Sequence, residues 1–390
     1  MKSINRRTVI GGMLAVGLAG SVKSQTLKLL PAALGQAVNI AAKASIKDRA
    51  APGVAIAVMR QGRLILSRGY GVANLETKTL VRADSVFRIG SLTKQFAAAA
   101  AYRLVEQGRL KLDAPVSSII PAFSRIASIR VEELIHHNAG LHEDEAETAA
   151  SPDPATTAGP RQIILANAIA AQTKPFDFEP GTAWHYSNSN YIVLGAIIEA
   201  ITRQPLGEAI GDLVLHHPGL VPLAVDDSAA VIPGRVSGYS LPAPDQAYNN
   251  AHCLEIIDAG AAGAMRGTAP ALCAWHDRLL SGQVIGKQAL EQMLTPGQLR
   301  DGRLSSAHRH APEDASYGDV EYGGGLLLSP VGTSPRTISH NGFINGFAAV
   351  LETDVDRRIS FAVLCNADVG PSLPFRAVRK AVRTWSATLA

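Results

Sequence analysis

Charge, aromatic rings and cysteine are all scarce in this chain. Of 390 residues, 18 % are charged, 5 % are aromatic and three are cysteine, namely Cys253, Cys273 and Cys365. Three scattered thiols exclude a small disulfide-built scaffold, and none is spaced as half of a metal-binding pair. They read as small buried hydrophobes, with a Cys253–Cys273 bridge open only in an oxidising compartment. A basic stripe is also missing. The formal charge of +4 is matched by Lys2, Arg6, Arg7 and Lys23, which stand in residues 1–24 without a single acid. The remainder is neutral overall, which excludes a bulk field drawing the protein to nucleic acid or an anionic membrane. No run is long and apolar enough to span a bilayer: Val9–Ala19 is diluted by Gly11, Gly12 and Gly17 and reaches about half of the ~20 residues required. Several catalytic signatures are absent. There is no G-x-S-x-G, no H-E-x-x-H (His142-Glu143 runs on to Ala146) and no G-x-x-x-x-G-K-S/T. The glycines at 323–325 and 260–267 do not lead from a strand into a helix, as a dinucleotide site needs.

What is present begins with hydrophobic residues at 47 %, enough for a sizeable core in two or three domains, or in one with an insertion. Residues 1–24 read as an export signal, with Arg6-Arg7 just ahead of a mildly apolar run. The paired arginines resemble the twin-arginine signal of bacteria, so the expected location is the periplasm. No tidy cleavage site is visible, and no stable membrane span is expected after removal of the signal.

Residues 36–47 read as a helix. Val54–Met59 and Leu64–Val72, joined across 60–63, read as a β-hairpin. Ser91–Gln107 is Ala-rich and apolar on most faces, so a buried central helix is expected, closed by Gly108. Val131–His136, Arg161–Gln172, Ser189–Thr202, Ala269–Ser281 and Gly286–Leu294 also have helical patterning, separated by irregular stretches at 137–160, 217–262 and 295–316. Strands return at Gly323–Ser329, Thr337–His340, Gly346–Glu352 and Ile359–Asn366, and Pro371–Leu389 closes as an amphipathic helix. The expected fold class is α/β (α+β). An antiparallel sheet from both chain ends (36–90 plus 316–390) is flanked by terminal helices, and a mostly helical domain (91–315) is inserted. The active site is expected between the two.

Ser91 and Lys94 stand three apart at a helix start, so one turn stacks them on one face. A serine hydroxyl is a weak nucleophile until a base takes its proton, and a lysine in an apolar wall loses its charge readily enough to be that base. The plain alternative is a serine N-cap with a solvated lysine. Tyr186-Ser187-Asn188 can point a phenol and an amide into one cleft, the first to relay a proton and the second to hold a carbonyl. Tyr248-Asn249-Asn250 has the same spacing. His340-Asn341-Gly342 ends an expected strand, with glycine admitting a ligand close to the backbone and the Phe343 amide placed as an oxyanion donor. His217-Pro218-Gly219 is a poorer match, with proline in the middle and no strand beside it. His136, His137 and His142 with Glu143, Asp144 and Glu145 form a polar cluster that reads as a solvated loop rather than a metal site.

Taken in order, Ser91-Leu92-Thr93-Lys94, Tyr186-Ser187-Asn188 and His340-Asn341-Gly342 resemble the three motifs of the serine β-lactamase and penicillin-binding-protein superfamily. The branch is the class C-like one, with its esterases, D-aminopeptidases and D,D-carboxypeptidases. Similar family segments include 86–90, 134–141, 180–184, 190–195 and 264–268, so the resemblance covers roughly 36–386 and selects Tyr186 over Tyr248. It implies Ser91 as an acyl-enzyme nucleophile, and Lys94 and Tyr186 as the general acid/base pair. It implies Asn188, His340 and Gly342 as orienting residues, and the backbone amides of Ser91 and Phe343 as the oxyanion hole, with no cofactor and no metal. Class C β-lactamases carry lysine in the third motif where this chain has His340, a form more like the esterases and peptidases. Asn341 replaces a common Thr or Gly. Arg336 is the nearest upstream cation for a substrate carboxylate, although a salt-bridged or solvated role fits it better. The expected function is an exported serine hydrolase of small esters, amides or D-amino-acid peptides, ahead of β-lactams. The alternative is a non-catalytic binder that captures acyl-like ligands in the same cleft.

Overall fold

The computed structural model describes residues 32–143, 166, 169, 174–243, 245–252, 254–368 and 373–389. The expected export segment, most of the expected 161–172 helix, Asp144, Glu145 and Cys253 lie outside them. In chain order the first half holds α1 (Ala32–Lys47), β1 (Gly53–Arg60), β2 (Arg63–Asn74), β3 (Thr79–Leu80), β4 (Phe87–Arg88), α2 (Thr93–Glu106), α3 (Val131–Ile135), α4 (Asn188–Thr202) and α5 (Leu206–Ile210). There follow β5 (Ala224–Val225), β6 (Tyr239–Ser240), β7 (Asn249–Asn250), α6 (Gly260–Gly263), β8 (Met265–Gly267), α7 (Ala269–Leu280) and α8 (Lys287–Met293). The last part is β9 (Glu321–Tyr322), β10 (Leu327–Leu328), β11 (Thr337–Ile344), β12 (Phe347–Asp354), β13 (Ile359–Cys365) and α9 (Leu373–Ala387).

The expected fold class, mixed α and β with an antiparallel sheet, is the one observed. Eight strands form one sheet in the order β3-β2-β1-β13-β12-β11-β10-β9, antiparallel throughout. Within it β1 pairs with β13, where the two ends of the chain meet. Side chains alternate along a strand. Val54, Ile56 and Val58 of β1 therefore pack with Val38 of α1 and with Val378 and Trp385 of α9. Ala55, Ala57 and Met59 point to the other face, which α7 covers. Both faces are covered, which is why β1 reads as an unbroken apolar run.

The apolar stretch around α2 is indeed the buried centre of the molecule: Phe96 through Ala101 are all 0 % exposed. Gly108, with φ +69°, stops it. Its N–H donates to Val105 O and that of Arg109 to Leu104 O, the paired bonds of a Schellman end. Three local expectations needed correction. The helix does not begin at Ser91, since Gly90–Leu92 form a separate 3-10 turn before α2. Gly323–Ser329 is not one strand, because a glycine turn separates β9 from β10. There Gly325 has φ +71°, and a Cβ on it would stand 2.6 Å from the Gln95 nitrogen. Finally, the strand bearing His340 does not end there. It runs on to Ile344 and turns through Asn345-Gly346, a two-residue hairpin turn.

Candidate active site

The three motifs are brought together around Lys94. The approach starts with β4, whose Phe87 and Arg88 pair with Gly267 and Arg266 of β8. Gly90 then takes φ +52°, and a Cβ there would stand 2.7 Å from both N and O of Phe343. A Cβ on Gly342 would run into the Ile89 carbonyl. These two glycines let the backbone of β11 touch the turn that carries Ser91. Thr93 pins that turn to β8 by donating to Gly90 O at 2.7 Å and accepting from Met265 N at 3.0 Å.

Lys94 is 0 % exposed. Its Nζ lies 3.1 Å from Ser91 Oγ, 2.7 Å from Asn188 Oδ1 and 2.9 Å from Ala262 O. The rings of Tyr186 and Tyr191 lie 4.7 and 5.6 Å away. Among the described residues no carboxylate is one of its hydrogen-bond partners. Burial therefore dominates and lowers its pKa to about 7, with the charge of Glu143 pulling the other way.

Ser187 stands in extended backbone as the N-cap of α4 (φ −138°, ψ 133°), so Tyr186 and Asn188 flank the helix start. The Tyr186 phenol is close enough to Ser91 to interact with it, and burial pushes its pKa well up. Its ring stacks on Tyr317 at 5.5 Å and on His137 at 4.4 Å. Asn188 Oδ1 accepts from Lys94, while its backbone N–H and its side-chain Nδ2 both donate to one carboxylate. Backbone N donates to Glu143 Oε2 at 2.6 Å and Nδ2 donates to Oε1 at 2.7 Å.

His340 is buried on β11, with its Nδ1 2.5 Å from Asn341 O and its Nε2 3.1 Å from Tyr322 OH. A carbonyl can only accept, so Nδ1 carries the proton and Nε2 accepts from the phenol. Burial and the nearby Lys94 lower its pKa to about 3, leaving the ring neutral. The alternation of β11 turns the exposed Asn341 away from the face shared by His340 and Gly342. Arg336 is tied to Asp356 at 2.9 Å and exposed.

The rival matches lie elsewhere. Tyr248 donates to Arg49 O at 2.6 Å and packs with the terminal-helix layer, while Asn249 and Asn250 are exposed on β7. The solvated-loop expectation for the 136–145 cluster is corrected at His136, His137 and Glu143, while Asp144 and Glu145 lie outside the described residues. His137 is fully buried with φ +61°, its Nδ1 facing Ser187 N at 3.2 Å and Asn190 Nδ2 at 3.1 Å. Burial lowers the His136 pKa to about 4, and Glu143 is part of the site. His142, exposed and 2.7 Å from Asp177, is the member that fits the expectation. Among the described residues no group of three or more His, Cys, Asp or Glu is placed to hold a metal ion. Glu143, His137, Tyr317 and Tyr322 were not singled out from the sequence as parts of this site.

The family profile described as beta-lactamase matches residues 38–383. The chain belongs to the beta-lactamase family. Esterase EstB of Burkholderia gladioli is 32 % identical over 213 residues, 52 % of this chain and 54 % of EstB. Protein flp of Staphylococcus aureus (strain MW2) is 30 % identical over 166 residues, 41 % of this chain and 32 % of flp. The chain thus spans about half the length of the first relative and a third of the second. Among solved structures, a D-stereospecific amidohydrolase from Streptomyces sp. is 27 % identical with a TM-score of 0.67, covering 89 % of this chain and 97 % of that one. Among the described residues no helix is long and apolar enough to cross a membrane.

Proposed function

We propose that this member of the beta-lactamase family is a serine hydrolase of small esters or amides that works through a Ser91 acyl-enzyme. The observation that carries the reading is the environment of Lys94. As a neutral amine it has two N–H groups and one lone pair. Asn188 Oδ1 and Ala262 O accept from the first two, which leaves the lone pair for the Ser91 hydroxyl at 3.1 Å. A pKa of about 7 keeps a large share of it neutral at physiological pH.

In this account Ser91 Oγ attacks the substrate carbonyl carbon as its proton passes to Lys94. The C–O bond to Ser91 forms, and the carbonyl electrons move to an oxyanion held by the backbone amides of Ser91 and Phe343. Tyr186, kept neutral by burial, relays the proton to the departing alkoxide or amine. Water then cleaves the acyl-enzyme by the same route in reverse. Asn188 orients Lys94. The neutral His340 and Gly342 shape the strand edge against which the acyl group lies.

The substrate class follows from charge. His340 stays neutral and Arg336 is tied to Asp356, so neither third-motif candidate offers a cation to a substrate carboxylate. Esters and D-amino-acid amides therefore rank ahead of β-lactams. The relatives named as an esterase and a D-stereospecific amidohydrolase support that ranking. Export to the periplasm is part of the proposal and rests on residues 1–24 alone.

The test is turnover of p-nitrophenyl acetate, a D-aminoacyl p-nitroanilide and a chromogenic cephalosporin by the purified protein. The expected order is ester or amide first, with Ser91→Ala lowering the best rate by about a thousandfold or more. Stoichiometric labelling without turnover would favour the binder, and full activity in Ser91→Ala would refute the nucleophile.

A further inference from the structure

An asparagine amide is ambiguous in shape: Oδ1 and Nδ2 exchange places on a half-turn of χ2, and only their partners choose between them. At Asn188 the choice is made from outside the three motifs. An ionised carboxylate has no proton to give, so with Glu143 Oε1 at 2.7 Å the Nδ2 end must face Glu143 and the oxygen must face Lys94. The second Glu143 oxygen holds the Asn188 backbone N–H at 2.6 Å. That bond sits at the N-terminus of the 15-residue α4, where the helix dipole favours an anion. The other groups around Lys94 are Ser91 of the turn, Tyr186 and Tyr191 of the α4 segment, His137 after α3, and His340 on β11. All are neutral at neutral pH. Among the described residues Glu143 is the carboxylate whose field is felt at Lys94.

We propose that Glu143 is a positioning residue: it locks the Asn188 amide with its oxygen on Lys94 and holds a negative charge behind that amide. It touches neither Ser91 nor the acyl group. The proposal rests on the reading of Lys94 as the base for Ser91.

Two variants, Glu143→Gln and Glu143→Asp, test it with two readouts. The first is a substrate-free NMR titration of the Lys94 ε-carbon in protein labelled at lysine, assigned by its loss in Lys94→Met. The second is the pH profile of p-nitrophenyl acetate hydrolysis. Removing the anion disfavours the ammonium form. In Glu143→Gln the Lys94 midpoint and the acid limb of the rate should therefore fall together by about half a unit or more. The plateau kcat should drop about tenfold with KM little changed, because the amide is no longer held one way round. Glu143→Asp keeps the charge but not both bonds, so its midpoint should stay near wild type while its plateau falls. A midpoint and plateau unchanged in Glu143→Gln, with only a lower melting temperature, would reduce Glu143 to a helix-end anion and overturn the proposal. Should Glu143→Gln fail to fold, a wild-type plateau in Glu143→Asp would overturn it. A midpoint that moves in a protein without turnover would uphold Glu143 and sink the hydrolase reading instead.

Discussion

Lys94 and Asp226 are both withdrawn from water beside the short sheet β4-β8-β5, one just after β4 and the other just after β5. Asp226 is 2 % exposed and is met by Arg88 at 2.9 Å, Arg235 at 2.6 Å and Arg266 at 3.2 Å. Lys94, equally buried, is met by a hydroxyl, an amide oxygen and a backbone carbonyl. Burial disfavours a charge in both places, and the partners decide the outcome. Three guanidiniums tie Asp226 to β4, β8 and the 235 loop as a structural knot. Three neutral partners let Lys94 shed its proton. The knot braces the strand that leads into Ser91, while the amine is left free to react.

That contrast is most sharply broken by Lys94→Met, which removes the proposed base while keeping most of the volume. The rate on p-nitrophenyl acetate should fall by about a thousandfold or more, since base and nucleophile act as a unit. Stability should move the opposite way. The folded pKa is about 7 and the unfolded one about 10.4. Between them the unfolded chain binds more protons, so wild-type stability rises with pH over this window. The methionine should therefore stabilise by a few kcal/mol at pH 6, on the order expected from such a shift, and progressively less towards pH 10. Urea unfolding at pH 6 and pH 9 measures this. Tyr186→Phe should cost less, about a hundredfold in kcat, because it removes the proposed proton relay but not the proposed base. Asp226→Asn should have the smallest effect on rate per folded molecule. It should lower unfolding stability by about 3 kcal/mol by stranding its arginines, and a large loss of kcat with unchanged stability would show the two regions are not distinct in role.

The parts of the site that lie close in sequence were legible in it. Ser91 and Lys94 are one helical turn apart, and the apolar run after them required burial. The sheet was legible because β1 and β13 are unbroken apolar strands at opposite ends of the chain. Glu143 was not legible in the same way. It meets Asn188 across 45 residues from an irregular stretch whose pattern resembles a solvated loop, and no spacing rule links the two. His137 was hidden by the same cluster, its burial depending on the rings of Tyr186, Tyr191 and Tyr322. The end of β11 was misplaced because two Asn-Gly pairs stand four residues apart. The hairpin turns at Asn345-Gly346, whereas Asn341-Gly342 lies within the strand, where Gly342 serves the close approach to Ile89.

The central claim is that Lys94 loses its proton near neutrality and takes the one on Ser91. The most direct measurement is the pre-steady-state rate of Ser91 acylation by p-nitrophenyl acetate between pH 5 and pH 10. The rate should rise tenfold per pH unit on the acid side and reach a plateau above a midpoint near 7. A rate flat across that range, or a midpoint near the ordinary lysine value, would contradict it.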